Sequence, residues 1–427
     1  MLRYDVVVVG AGPSGCIAAK YAAKAGAATV IIEEDAEIGE PVQCAGFISK
    51  RAIEESELKD TKSFITNELK GAIVHSYYHK LRIEAPSPAK SAFAIRRDIF
   101  DRALAEDALK AGADILLNRR VKGIKKGEIG GRPTLTIVMD GGKEELTATV
   151  VIGADGVRSR VAKMSGMTVT RNYLHCVQVE GEYKAAENFV EIFMGRSIAP
   201  GFFAWAIPRG DEGIARIGLC IDRRCSPRPG PISFLKRLLA EHPEVAKRYK
   251  GARAGFTPGL IPIPADTGLQ WRLHGPRTVR IADSTGIMVV GDAAAQVKPI
   301  SGGGVYYGLK CGKLSGEIAA EASLRNDMAV LREYELRWRK EIGREIAFGL
   351  KVHRLRCILN DEDFDTICRV LSQEEMLARI TKLGDMDYPA LVFRELRKNP
   401  VLIKLAARNI IKYLYANRRL GNQDKGR

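Results

Sequence analysis

A run of valines that leads straight into three spaced glycines constrains this chain more than any other feature. Residues 4–10, YDVVVVG, form an unbroken apolar run, the pattern of a strand buried on both faces of a parallel sheet. Gly10-Ala11-Gly12-Pro13-Ser14-Gly15 follows, and an Ala-rich stretch from Cys16 to Gly26 predicts a helix that Gly26 is placed to end. Residues 28–33 (ATVIIE) predict a second strand. In such a β-α-β unit Gly10 permits the tight turn, Gly12 lets the backbone approach a pyrophosphate, and Gly15 allows close helix contact. The helix start, which follows Ser14 and Gly15, presents free N–H groups and a positive dipole end to an anion. Glu33 closes the second strand, where an acid can bind both ribose hydroxyls of an adenosine; Glu34 would point to the opposite face. These glycines serve NAD, NADP and FAD equally well.

Further along, a helix is predicted over 95–112 with its start near Asp98, and strands over 113–117, 135–139 and 150–152. Residues 36–50 read as irregular. From about 170 to 280 short apolar runs are split by Gly and Pro, the pattern of a mostly antiparallel sheet. Gly286–Gly291 (GIMVVG) returns to a buried strand, a helix is predicted from about Val305 to Ala322, and beyond Asp327 the chain is helical and charged.

Two later segments match known patterns. Val151-Ile152-Gly153-Ala154-Asp155-Gly156 resembles the GADG segment of the aromatic-hydroxylase-like FAD superfamily, where Asp155 would brace the loop beside the pyrophosphate. Gly291-Asp292-Ala293-Ala294, followed by Pro299 and Gly302-Gly303-Gly304, resembles that superfamily's second FAD signature. The resemblance implies FAD as cofactor. It implies that Asp292 takes a hydrogen bond from the ribityl chain, that Gly303 and Gly304 lie against the isoalloxazine, and that the helix from Val305 aims its positive end at the ring. It also places Arg97 near the pyrophosphate, with Arg96 as an adjacent competitor, and adds Ala45, Phe47 and Val121 to the cofactor contacts.

A narrower resemblance rests on two segments. Glu37-Ile38-Gly39-Glu40-Pro41-Val42-Gln43-Cys44-Ala45-Gly46 is similar to the PVRCGEG-like loop of archaeal geranylgeranyl reductases, and Phe203-Ala204-Trp205-Ala206-Ile207-Pro208 to their Y-x-W-x-F-P motif. Phe203 stands where that family has Tyr, Ile207 where it has Phe, and Gln43 and Ala45 where it has Arg and Gly. The motif order matches over roughly residues 1–325. The resemblance implies an α/β fold: a Rossmann-like FAD-binding domain, an inserted antiparallel β-sheet substrate domain, and a C-terminal helical region. The expected boundaries are 1–60, 95–170 and 280–325 for FAD, 61–94 and 171–279 for substrate, and 326–427 for the helices.

The implied activity is hydrogenation of isolated double bonds in prenyl chains of membrane lipid precursors, with hydride from reduced flavin. Phe203, Trp205, Ile207 and Pro208 would then wall a long apolar groove, the first three sharing one strand face. Cys44, in the loop that the family sets near the flavin, is the candidate catalytic residue. No His–Asp or paired-carboxylate constellation offers a proton donor. A monooxygenase of the same fold, and a reductase of the prenyl chain of a quinone-like carrier, remain open. The electron donor is left among ferredoxin, a deazaflavin and NAD(P)H.

Charge and thiols bound the partners. A net charge of +16 favours anionic ones, yet no zinc-finger spacing, RNA-binding aromatic motif or long basic run points to nucleic acid. Half of that charge lies in residues 391–427, which hold ten Lys/Arg against Glu395 and Asp424. Leu402, Leu405, Ala406, Ile410 and Leu414 fall near helical spacing there, so peripheral contact with an anionic membrane is an open reading beside plain docking on the body. The eight cysteines form no C-x-x-C pair, so no zinc site is expected. Free thiols and a cytoplasmic location, with no signal peptide and no transmembrane helix, are the expectation.

Overall fold

The computed structural model describes residues 2–85, 87, 90–140, 145–167, 170–186, 188–210, 213–264 and 277–423; for 171 and 413–423 only the backbone is described. The chain divides into two compact units, each made of discontinuous segments. The first comprises residues 1–65, 95–173 and 261–347, the second 66–94, 174–260 and 348–427.

The first unit is built on a parallel sheet. Its strands run in the order Val279–Ala282, Thr285–Val289, Glu145–Gly153, Leu2–Val9, Thr29–Ile32, Asp114–Leu116, parallel throughout except for the first, antiparallel edge strand. Val6, Val7 and Val8 are wholly buried, which is why this strand carries no polar alternation. Strands Arg132–Met139 and Val121–Ile129 extend the sheet antiparallel from Glu145–Gly153. The first helix runs Pro13–Lys24, beginning at Pro13 rather than Cys16 because proline's fixed φ and missing N–H suit a first helical position.

Against that helix packs Val305–Arg325. The closeness of this crossing comes from Gly308, Gly312 and Gly316, one turn apart. A side chain at Gly312 would meet the Ser14 carbonyl at 2.5 Å, and one at Gly316 would strike the Ala18 carbonyl. Two readings shift at their edges. Helix Arg97–Lys110 starts just before Asp98, after a short strand Ala92–Ile95, and the segment read as irregular ends in strand Phe47–Ser49 and helix Lys50–Ser56.

The second unit holds the other large sheet, in the order Tyr249–Ala252, Thr170–Tyr183, Ile214–Asp222, Ala204–Pro208, Phe189–Phe193, Gly71–His75, Lys80–Glu84. All neighbours are antiparallel save Phe189–Phe193 with Gly71–His75, which run parallel. Helix Pro231–Glu241 covers one face. Its Phe234, Leu235, Leu238 and Leu239 pack with Val177, Val179, Ala204, Ala206, Ala215, Ile217 and Leu219.

Glu191 is buried within this sheet and held by His75 (2.9 Å) and by both Arg248 terminal nitrogens (2.7 Å each). Burial alone would raise its pKa; the hydrogen bonds from His75 and Arg248 outweigh that and hold it at about 2.

The free-thiol expectation is corrected here. Cys176 and Cys220 face each other across the ladder with Cα atoms 4.0 Å apart, and a disulfide joins them. Two positions 44 residues apart in sequence become neighbours only when the strands pair, so spacing could not reveal them. The other six cysteines are in no disulfide.

Helices Arg344–Ile358, Asp361–Leu371, Glu374–Leu383, Ala390–Leu396 and Pro400–Gln423 follow, the second opened by a reciprocal Asn360–Asp363 cap. In the last, Leu405 packs with Leu359 and Phe364, and Arg408 pairs with Asp363. Ile410, expected on the apolar stripe, is instead 47% exposed beside Ile411 at 53%, because burial follows Leu405 and Asn409. The side chains of Leu414, Arg418 and Arg419, and all of Lys425 and Arg427, lie outside the described residues. No helix among the described residues is long and apolar enough to cross a membrane.

Candidate functional site

Three motifs far apart in sequence leave the parallel sheet at one edge. Gly10 follows strand Leu2–Val9, Ala154 follows Glu145–Gly153, and Val290 follows Thr285–Val289, and these strands are immediate neighbours. Backbone bonds tie their ends, Ala154 N–H to Val9 O (2.8 Å) and Val290 N–H to Gly153 O (2.9 Å). The carboxyl edge of a parallel sheet is where open α/β folds form a ligand crevice.

The first turn is glycine by necessity. Gly10 has φ +104°, and a Cβ there would lie 2.5 Å from the Ala154 carbonyl oxygen. At Gly12 a Cβ would meet nothing within 4 Å, so open space faces the start of helix Pro13–Lys24, which has no side-chain cap. Glu33 leans into this turn. Its Oε2 accepts from Ala11 N–H (2.6 Å) and its Oε1 from Asp35 N–H (3.0 Å). Glu34 turns away and pairs with Arg120 at 2.6 Å. Val121 sits nearby in the apolar cluster with Val30 and Ile32. Ser14 fills a slot between Gly291 and Gly308, where any side chain on either glycine would collide with its hydroxyl. The first and third motifs therefore touch.

Asp155 works on its own loop. Its carboxylate accepts from Ser159 Oγ (2.6 Å), Arg160 N–H (2.6 Å) and Val161 N–H (3.0 Å), bracing the turn that Gly10 abuts. Burial raises its pKa against the pull of these bonds.

The polar centre lies around Arg97. Its side chain is turned inward and only 13% exposed, and its Nε and a terminal nitrogen grip Asp101 at 3.0 and 2.8 Å. Arg96 instead stands half exposed on Asp98 at 2.6 Å, so the two competing arginines separate cleanly. Arg97 also hydrogen-bonds the Cys44 side chain. Burial pushes the pKa of Asp292 up to about 6, and the positive charge of Arg97 partly opposes this.

Asp292 lies against the backbone at Gly304, where a Cβ would come within 2.8 Å of Oδ1. Gly304 caps helix Val305–Arg325 without a side-chain bond. Gly303 accepts from Lys298 N–H (3.1 Å), closing the loop before it. Cys44 takes the Gly46 N–H at 3.4 Å, and Gly46 in turn accepts from Ile95 N–H at 2.7 Å. These bonds fix the loop through Ala45 to Phe47 next to the segment that carries Arg97.

Asp101 was not singled out from sequence; its signal was the i, i+4 spacing from Arg97. The glycine ladder at 308, 312 and 316 was equally legible and equally overlooked.

The aromatic segment lies in the second unit. Trp205 stands opposite Gly218 in the ladder, and a Cβ at Gly218 would meet Trp205 Cζ2 at 2.6 Å, so the indole lies flat over that glycine. Phe203 meets Trp205 edge-on at 6.3 Å and stacks on Phe202 at 4.4 Å. Ala204 and Ala206 belong to the cluster under helix Pro231–Glu241, whereas Trp205 and Ile207 alternate with them along the strand and Phe203 immediately precedes it. Pro208 ends the strand, and its carbonyl accepts from Asn67 at 3.2 Å. The indole N–H of Trp205 is buried and has no partner among the described residues. In the same unit the structure shows the His–Asp pair that sequence reading did not find: His353 Nε2 lies 3.0 Å from Asp222 Oδ2.

The residues of the first unit fit a dinucleotide with a flavin end. Two glycine-lined backbone stretches, two uncapped helix starts, the Glu33 carboxylate and buried Asp292 supply the donors and acceptors that such a molecule needs.

Comparison with known proteins agrees. The FAD binding domain family matches residues 3–335. A digeranylgeranylglycerophospholipid reductase of Methanothermobacter thermautotrophicus is 34% identical over 92% of this chain and 98% of its own length. One of Methanocaldococcus jannaschii is 32% identical over 94% of this chain and 97% of its own. Among solved structures, a geranylgeranyl bacteriochlorophyll reductase-like protein from Thermoplasma acidophilum superposes with a TM-score of 0.76 at 26% identity, covering 93% of this chain and 99% of that one. A p-nitrophenol 4-monooxygenase from Pseudomonas putida shares the fold at a TM-score of 0.64 and 18% identity, over 92% of this chain and 99% of its own. With a flavin-fitting crevice and several near full-length relatives of that name, the chain belongs to the digeranylgeranylglycerophospholipid reductase family, built on the FAD binding domain.

Proposed function

We propose that this protein is an FAD-dependent reductase that hydrogenates double bonds of geranylgeranyl chains in membrane phospholipid precursors. One observation carries the reading: Arg97, reaching inward, grips Asp101 and hydrogen-bonds Cys44, so the loop and the helix that the family sets around a flavin meet at one cation whose charge also acts on the buried Asp292. The chemistry that FAD supplies when bound and reduced is hydride transfer to one alkene carbon. The chain's task is to hold, orient and exclude water.

In this reading Gly10, Gly12, Ser14 and Gly15 with Glu33 take the adenosine diphosphate end, Val121 backing the Glu33 strand. Asp155 keeps the neighbouring turn in shape. Arg97 faces the pyrophosphate side, Asp292 accepts from the ribityl chain, and Ala45, Phe47, Gly303, Gly304 and Val305 border the ring. Cys44 holds a proton at Sγ beside that ring, next to the Arg97 guanidinium. Phe203, Trp205, Ile207 and Pro208 give the rigid apolar wall that a long prenyl chain needs. Residues 1–60, 95–170 and 280–325 form the FAD domain, 61–94 and 171–279 the substrate domain, and 326–427 the helical domain.

Helix Pro400–Gln423 makes peripheral contact with an anionic membrane. Exposed Val401, Ile403, Ile410 and Ile411 stand among Lys404, Arg408 and Lys412, a mixture suited to an acidic lipid surface.

The test is reduction of the purified flavoprotein with dithionite, incubation with a geranylgeranylated glycerophospholipid, and mass spectrometry. Addition of hydrogen pairs to the lipid is expected. Hydrogen pairs appearing only on a prenylated quinone would redirect the reading, and oxygen incorporation would replace it with monooxygenation. Replacing dithionite by ferredoxin, a deazaflavin or NAD(P)H then identifies the donor.

A further inference from the structure

We propose that Asp222, Cys225, His353 and Cys357 form a zinc site in the second unit. The four residues come from two places in the chain. Asp222 ends strand Ile214–Asp222, and Cys225 follows in the turn, its N–H bonded to the Asp222 carbonyl at 2.9 Å. His353 and Cys357 are one turn apart on helix Arg344–Ile358 and so share a face. Written as sequence, this is D-x2-C with H-x3-C, the two-plus-two spacing of structural zinc sites with one thiolate replaced by a carboxylate. A search confined to C-x-x-C pairs passes over it.

The atoms are already gathered. Asp222 Oδ2 lies 3.0 Å from His353 Nε2 and 3.8 Å from Cys357 Sγ, and His353 Nε2 lies 3.9 Å from the same sulfur. Tetrahedral zinc with bonds of about 2.0–2.3 Å to oxygen, nitrogen and sulfur has ligand-to-ligand edges of about 3.3–3.8 Å. Side-chain shifts of a few tenths of an ångström reach those edges without moving backbone. Asp222, His353 and Cys357 form the gathered three, and the Cys225 thiol hydrogen-bonds that of Cys357, so a turn of the Cys225 side chain adds the fourth ligand.

His353 and Asp222 are buried, and the cysteines are partly open, which leaves a way in for an ion. Among the described residues His353 Nδ1 meets no partner, so the ring is held through Nε2 alone. Asp222 Oδ1 is kept by the backbone N–H of Arg224 (2.9 Å) and its Nε (3.0 Å). Oδ2 can therefore turn to a metal while Oδ1 stays bonded. The terminal nitrogen of Arg224 that now touches Oδ2 belongs to a half-exposed side chain, free to swing to water.

Charge closes the argument. Two thiolates, a carboxylate and a neutral imidazole around a divalent ion carry one net negative charge. The buried Arg356 guanidinium supplies the matching positive charge, interacting with Cys357, Cys225 and Asp222. It also lies 4.4 Å over the Phe202 ring and 5.8 Å from Phe203. The ion thus pins helix Arg344–Ile358 to the strand end directly behind the aromatic segment, and its role is to hold that wall rigid.

Two measurements test this. Protein produced with zinc present, dialysed and analysed for metal is expected to hold one zinc per chain beside its FAD, and a thiol-reactive mercurial is expected to release it from the wild-type protein. Cys357→Ser and His353→Ala are each expected to lose most of the zinc at unchanged FAD content, whereas Cys368→Ser, outside the cluster, keeps it. Reconstitution with cobalt alone should give a thiolate-to-cobalt charge-transfer band that Cys357→Ser lacks, even where His353→Ala fails to fold. Absence of stoichiometric zinc after loading, zinc retained by both variants, or a Cys225–Cys357 disulfide in the zinc-loaded protein would each overturn the proposal.

Discussion

At the residue scale, position in the fold decides which of two identical neighbours matters. Arg96 and Arg97 are indistinguishable in sequence, yet one pairs with Asp98 at the surface and the other grips buried Asp101 and reaches Cys44. Asp292 is a common residue in a common turn, made unusual by burial that lifts its pKa from 3.8 to about 6. The sign of the consequence follows. The folded protein keeps a proton that the unfolded chain has already released, so the stability of FAD-free protein falls as pH rises from about 4 to about 6 and levels off above. Urea unfolding across that range should show this slope, and Asp292→Asn should lack it; an identical slope in the variant would exclude Asp292 as its source. For Cys44 the expected pattern is a split. Cys44→Ala keeps FAD, read from the flavin spectrum, and loses at least about a hundredfold in alkene reduction, the low end of what positioned proton transfer supplies. Full turnover would remove the thiol from the proton path.

At the element scale, the crossing of helices Pro13–Lys24 and Val305–Arg325 sets the distance between the first and third motifs. Three glycines make it possible: Gly312 and Gly316 lie against the backbone of the first helix, and Gly308 against the Ser14 side chain. Gly316→Val should therefore destabilise by about 1–3 kcal/mol and lower FAD occupancy, although residue 316 lies well down the helix from the crevice. Denaturant titration together with the flavin-to-protein ratio measures both. The buried Glu191 cluster has the same character in the other unit. Glu191→Ala leaves Arg248 and His75 without their anion, at a cost of about 3–5 kcal/mol, seen as a drop in the unfolding midpoint. Both arrangements were written in the sequence as spaced glycines and isolated charges. The glycine spacing was legible there but the partners were not, because nothing local says which backbone a glycine will meet or which arginine will reach a given glutamate.

At the scale of the whole molecule, charge is distributed unevenly. Residues 391–427 carry half of the net +16, and helix Pro400–Gln423 exposes Ile403, Ile410 and Ile411 among its basic residues. Anionic vesicles should co-sediment the protein and neutral vesicles should do so weakly. Ile410→Glu with Ile411→Glu, a change on an exposed face that leaves the Leu405 contact intact, should release it. Equal sedimentation by that double variant, or by a chain ending at Asn399, would dismiss the membrane role.

The sequence by itself determined the parallel sheet, the order of the three cofactor motifs and the family. Each of those rests on local pattern: a Val run too apolar for an exposed strand, glycines at turn spacing, an acid at a strand end. Tertiary structure alone decided what meets across the chain. It joined Cys176 to Cys220, turned Arg97 rather than Arg96 inward, seated Ser14 between Gly291 and Gly308, and drew Asp222 and Cys225 to His353 and Cys357. The physical reason is common to all four. A side chain's partner is set by strand register and helix crossing, which depend on burying the whole apolar surface at once, and no window of sequence contains that information.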